Sequence, residues 1–183
     1  MTPSWRRCSL SFGGNFPSTS TPTGRTTSSP GYGSARSFTC YVIVHGTEGH
    51  LIPDLLAEEG AGVITGPCLG DRSKPELANQ SLETPAILQR HGVKTAICTD
   101  HPETPIQYLP LCAAMAVRGG MDPESALACI TIRAAELAGV AHRVGSLAPG
   151  KDADLTVTSS HPLNWLSRVR LVVMDGKVVV SSL

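Results

Sequence analysis

Aromatic side chains make up only 4% of this chain, so any core must be assembled from Val, Leu, Ile and Ala rather than from large rings. Net charge is missing as well: 15 Lys and Arg balance 15 Asp and Glu, which removes the basic footprint of a nucleic-acid binder. No apolar run approaches the roughly 18 to 20 residues needed to span a bilayer. The six cysteines, at positions 8, 40, 68, 98, 112 and 129, include no C-x-x-C pair and no histidine partner at zinc-finger spacing. They read as the thiols of a reduced, cytoplasmic chain. Cys98, inside the apolar run KTAICTD, reads as a small buried hydrophobe. No acidic residue precedes Glu48 and no histidine precedes His45.

What is present falls into three regions. Residues 1–37 are rich in Ser, Thr, Pro, Gly and Arg, with isolated apolar side chains such as Trp5, Phe12 and Phe16. These cannot offset the ordering entropy of about 1 to 2 kcal/mol per residue, so a disordered tail is expected. Its Arg and Ser content also fits an organelle transit peptide, although the glycines and prolines spoil the amphipathic helix of such peptides. A translation or gene-model accident joined to a truncated domain accounts for it equally well.

Residues 38–139 alternate between strand and helix patterns. CYVIV, GAGVITG and VKTAICT are short β-branched runs, as expected of strands buried on both faces of a parallel sheet. LIPDLLAEEG and LETPAILQRHG carry helical spacing and stop at glycine. IQYLPLCAAMAVRGG and DPESALACITIRAAELAGV read as two further helices, the second opened by Asp122 as N-cap and Pro123 in the first turn. In residues 140–183 the period shortens: RVGSL, DADLTVTSS, VRLVVM and KVVV read as antiparallel strands, with Asp175-Gly176 as a hairpin turn.

One motif is a decoy. GSLAPGKD, residues 145–152, approaches the phosphate-loop spacing G-x-x-x-x-G-K but continues with Asp152 and a strand. The mechanism needs Ser or Thr and a helix there.

Two strand ends carry the chemistry-bearing residues. VIVHGTEGH places His45 directly after the first β-branched run, and TAICTDHPETP places Asp100 and His101 after the third. Catalytic groups of parallel α/β folds gather at the carboxyl ends of strands, so His45 and Asp100 can face one cavity and ligate a metal. Each also has an ordinary reading, His45 as a hydrogen-bonded scaffold residue and Asp100 as a turn cap before Pro102. His50, His91, His142 and His161 fall in loops, helix starts or a helix end.

The succession VIVHGTEGH, AICTDHP, AAELAGV, RVGSLAPGKDADLTV and VVMDGKVV resembles the C-terminal half of the metal-dependent amidohydrolase superfamily, in particular its imidazolonepropionase-like members, over roughly residues 41–180. The resemblance implies an α/β fold: a partial (β/α)8 barrel of about strands 6 to 8, plus part of the flanking C-terminal β-sandwich. It implies a hydrolase of non-peptide carbon-nitrogen bonds in small cyclic amides, acting through water activated by one or two divalent metals, zinc foremost. His45 matches the sixth-strand metal histidine. Asp100 matches the eighth-strand aspartate, a metal ligand and the catalytic acid/base. The loop bearing Asp71, Arg72 and Lys74 would border the substrate pocket, or is simply solvated loop charge. The family's other ligands belong upstream of His45 and have no counterpart in residues 1–40, so impaired catalysis is expected. The alternative is a non-catalytic half-barrel that folds by self-association, as a homo-oligomer, or against a complementary half-barrel.

Overall fold

The computed structural model describes residues 41–182. The expected tail over residues 1–37, with Cys8 and Cys40, lies outside the described residues. Three short strands, β1 (Val42–Val44), β2 (Gly62–Thr65) and β3 (Lys94–Ile97), form a parallel sheet in that order. The register pairs Val42 with Gly62 and Val63 with Thr95. The connections carry helices α1 (Pro53–Glu58) and α2 (Thr84–Arg90), the β-α-β rhythm that makes neighbouring strands parallel. After β3 come α3 (Leu109–Arg118), α4 (Pro123–Cys129) and α5 (Ile132–Leu137).

Strand β2 is covered on both faces. Val63 is buried in a cluster with Leu56, Leu88 and Val93, whereas a Cβ added at Gly62, on the opposite face, would meet Leu137 Cδ2 at 2.6 Å. Burying a residue such as Leu88 contributes about 1.5 to 3 kcal/mol. The second cluster joins Ile97 of β3 to Cys112 and Ala116 of α3 and to Ala126 and Cys129 of α4. Small side chains dominate there, as the shortage of aromatics requires.

The remaining strands, β4 (Leu155–Thr158), β5 (Val169–Met174) and β6 (Lys177–Ser181), form a separate antiparallel sheet. Asp175 and Gly176 close the β5–β6 hairpin with φ of 48° and 71°, the sign that a type I′ turn demands and that glycine adopts without strain. Asp122 caps α4 by accepting from the Ser125 N–H at 2.9 Å.

Two sequence expectations are corrected. RVGSL is a succession of turns and not a strand; the Arg143 guanidinium pairs with Asp152 at 2.6 Å and Lys151 Nζ donates to Ser146 at 2.7 Å and to the Val144 carbonyl at 3.3 Å. The lysine of the phosphate-loop look-alike thus binds its own loop, which continues into β4. The expected single helix after Asp122 is two, because Thr131 leaves the helical region at φ −128°, ψ −100°. Its hydroxyl donates back to the Leu127 carbonyl at 2.8 Å, the back-bonding by which threonine bends helices.

Candidate active site at the carboxyl rim of the parallel sheet

Parallel strands deliver the residues that follow them to one rim. His45 follows β1 directly, Gly66 follows β2 directly, and Asp100 stands shortly after β3. Backbone bonds hold the exits in line: Gly46 N–H donates to the Ile64 carbonyl at 3.2 Å and Cys98 N–H to the Thr65 carbonyl at 2.9 Å. The result is that His45 Nε2 lies 3.4 Å from Asp100 Oδ1. Both side chains are partly exposed.

Three features shape this pair. His45 Nδ1 faces the Gly66 carbonyl at 3.1 Å. A carbonyl only accepts, so Nδ1 carries the proton, and in the neutral ring the Nε2 lone pair points at Asp100. Second, His45 and Asp100 both hold positive φ, 60° and 52°, a conformation that costs a non-glycine residue about 1 to 2 kcal/mol and that collects at functional sites. Third, Gly66 has φ 137° and a Cβ there would stand 2.2 Å from the Cys98 carbonyl oxygen. Only glycine lets the β2 exit press against the β3 exit while presenting its carbonyl to His45.

With the ring neutral, Nε2 and the carboxylate oxygen, 3.4 Å apart, are spaced to share a cation, and a histidine that donates its other N–H to a backbone carbonyl is oriented as metal-ligating histidines are. The two donors therefore fit as part of a divalent-metal set. A catalytic zinc takes three protein ligands, and among the described residues no group of three or more His, Cys, Asp and Glu stands close enough to hold a metal.

Around the rim lies a buried polar network that the sequence did not single out. Glu48 is buried and accepts from the Asn79 N–H at 2.7 Å, tying the loop after β1 to the loop after β2. The Thr84 hydroxyl, 1% exposed, donates to the Thr47 carbonyl at 3.1 Å and meets His50 Nδ1 at 2.8 Å. Burial holds the His50 imidazole below its ordinary pKa, against the opposing pull of Glu48 and Glu83. The only foretoken in the sequence is the run of Thr, Glu and His directly after a strand end.

The other expected residues stand apart from the pair. Asp71 accepts from the Ser73 N–H at 3.2 Å, and Arg72 donates to the Gln80 carbonyl at 2.9 Å; with Lys74 they are exposed. His91 pairs with Asp54 at 2.7 Å and His161 with Glu124 at 3.7 Å. His101 and His142 are exposed. Cys98 is only partly buried, and desolvation pushes its thiol up to about 11. Among the described residues no helix is long and apolar enough to cross a membrane.

Comparison with known proteins bears on the family and the fold. The model of the amidohydrolase family matches residues 20–179. An amidohydrolase structure from Thermotoga maritima superposes with a TM-score of 0.74 at 42% identity, over 76% of this chain and 37% of that one. The imidazolonepropionase of Geobacillus kaustophilus is 38% identical over 105 residues, 49% of this chain. A zinc-bound adenosine deaminase from Xanthomonas campestris shares the fold at a TM-score of 0.53 and 23% identity. The chain spans 25% of the length of the Geobacillus relative.

Proposed function

Because the chain belongs to the amidohydrolase family, we propose that it takes part in hydrolysis of a non-peptide carbon-nitrogen bond in a small cyclic amide or related substrate, with His45 and Asp100 as metal-site residues and Asp100 as acid/base. The observation that carries this reading is the convergence of His45 Nε2 and Asp100 Oδ1 to 3.4 Å at the carboxyl rim. On this reading β1 to β3 correspond to the sixth to eighth strands of a (β/α)8 barrel, and β4 to β6 to part of a flanking sandwich.

When bound, a divalent metal such as zinc supplies water activation and polarisation of the electrophile. His45 and Asp100 would hold it. The chain's own contribution is positional: the Gly66 carbonyl fixes the His45 tautomer, and His45 in turn bounds the space open to the Asp100 carboxylate. Asp100 accepts a proton from the attacking water and passes it to the departing nitrogen, a transfer that its partial exposure leaves open to substrate.

The test uses the full chain, dialysed against metal-free buffer and assayed with hydantoin, lactam and imidazolone substrates. Stoichiometric zinc that is retained by the parent and lost in Asp100→Ala and His45→Ala is the expected result, with turnover lost in the same variants. Metal-free protein without turnover on any of the three would reject the reading.

A second reading, a non-catalytic half that pairs with another copy or a complementary chain, draws support from β6. Val178, Val179 and Val180 are 61%, 53% and 46% exposed on an edge strand, which is the kind of surface that recruits partners. Light scattering that reports a monomer with a cooperative melt would reject it.

A further inference from the structure

We propose that Cys68 and Cys112 are an oxidisable thiol pair, which a peroxide converts into a disulfide that ties the loop after β2 to helix α3. The two residues are far apart in sequence and adjacent in space. The Cys68 S–H donates to the Cys112 carbonyl oxygen at 3.8 Å, which brings its sulfur beside Cys112. Both thiols are free and both line one recess, between the β2 exit and helices α2 and α3. The recess is narrow, about the size of one water molecule, which shuts out bulky disulfides and leaves only a small oxidant such as hydrogen peroxide to reach the pair.

Two further observations point the same way. Thr47, 3% exposed, lines this recess with a hydroxyl that has no partner among the described residues, a ready hydrogen-bonding group for a small polar visitor. The second is access: Cys68 is only partly buried beside the fully buried Cys112, which leaves one thiol of the pair within reach of a small solute.

The chemistry balances. One thiolate of the pair attacks one oxygen of hydrogen peroxide and the O–O bond breaks, giving the sulfenic acid and a hydroxide that takes up a proton as water. The other sulfur then attacks the sulfenyl sulfur; the S–S bond forms, the S–O bond breaks, and the departing hydroxide leaves as a second water with the proton of the second thiol. Two thiols are oxidised and one peroxide is reduced. The bond would clamp the segment just beyond Gly66, the residue whose carbonyl orients His45.

The experiment needs no substrate. The full chain is treated with hydrogen peroxide, alkylated, digested without reductant and mapped by mass spectrometry. Expected is loss of alkylation at both Cys68 and Cys112, a peptide joining the two, and recovery of both thiols with dithiothreitol. Cys98→Ser should keep the linked peptide and Cys112→Ser should abolish it. A link from Cys68 to Cys98 instead, or Cys68 driven to sulfinic acid while Cys112 stays alkylatable, would overturn the assignment. Because the parent protein alone gives the decisive map, a variant that fails to fold leaves the test intact.

Discussion

His45 and Asp100 leave strands that do not touch, β1 and β3, and yet Nε2 of one lies 3.4 Å from Oδ1 of the other across the exit of β2. The intervening strand makes this possible by ending in Gly66, whose backbone packs on Cys98 and offers its carbonyl to the imidazole. Two strained backbones and a glycine that accepts no side chain are concentrated at one rim. Elsewhere the chain uses positive φ at turns such as Asp175-Gly176, where closing a hairpin is reason enough.

Gly66→Ala should therefore be far more damaging than a surface glycine substitution. The added methyl meets the Cys98 carbonyl at 2.2 Å at φ 137°, and backbone cannot swing aside as a side chain can, so a loss of about 2 to 3 kcal/mol is expected. Gly92→Ala, at φ 79° with nothing within 4 Å, should cost only the left-handed strain of about 1 kcal/mol. Urea midpoints of the two variants decide the matter; equal losses would mean that the close approach at Gly66 is not tight.

How much of this was legible beforehand follows from the range of each interaction. The parallel strands and the two strand-end residues were legible because β-branched runs declare themselves locally and parallel topology sends every exit to the same side. The recess and the polar network were not. Thr84 sits in an ordinary helix start, and nothing near it in sequence announces that its hydroxyl meets Thr47 and His50, 37 and 34 residues away. The helix break at Thr131 hid for the opposite reason: apolar spacing ran on through it, while a single hydroxyl bond to Leu127 redirected the backbone. RVGSL misled because β-branched and apolar residues also serve in turns when charged neighbours, here Arg143 and Asp152, pair across them.

Asp122→Ala should destabilise the chain by about 1 kcal/mol. The carboxylate accepts from the Ser125 N–H at 2.9 Å, and alanine leaves that donor to water. Asp122→Asn should retain most of the cap, since the amide oxygen still accepts. Thermal melts of the pair check it, and equal Tm losses would show that charge at the helix start matters more than the cap bond.

Thr84→Val replaces a hydroxyl with a methyl of nearly the same size in a site only 1% exposed. It removes the hydroxyl that meets both the Thr47 carbonyl and His50 Nδ1, and losing such a buried hydrogen-bond partner costs about 1 to 3 kcal/mol. Thr84→Ser keeps the hydroxyl and loses only a methyl, so it should cost about 1 kcal/mol. A denaturant series that ranks valine as the milder change would show that the network is wet.

The His50 imidazole gives the chain a signature in pH. Burial holds it below its ordinary value of 6.5 in the folded state, so on acidification the unfolded chain takes up the proton first. Its contribution is thus fully present above about pH 6.5, falls as pH drops through that value, and levels off below the depressed folded value. Glu48 and Glu83 act against this, since either carboxylate favours the imidazolium, so removing one of them should lower the folded value further and extend the loss to more acid pH. His50→Gln keeps a side chain able to meet Thr84 and cannot titrate. Urea midpoints measured at about pH 7.5 and about pH 5.5 should drop by less in His50→Gln than in the parent, and the difference isolates His50 from the other histidines, which both proteins share. An equal drop would mean that the imidazole is protonated as readily in the folded chain as in the unfolded one.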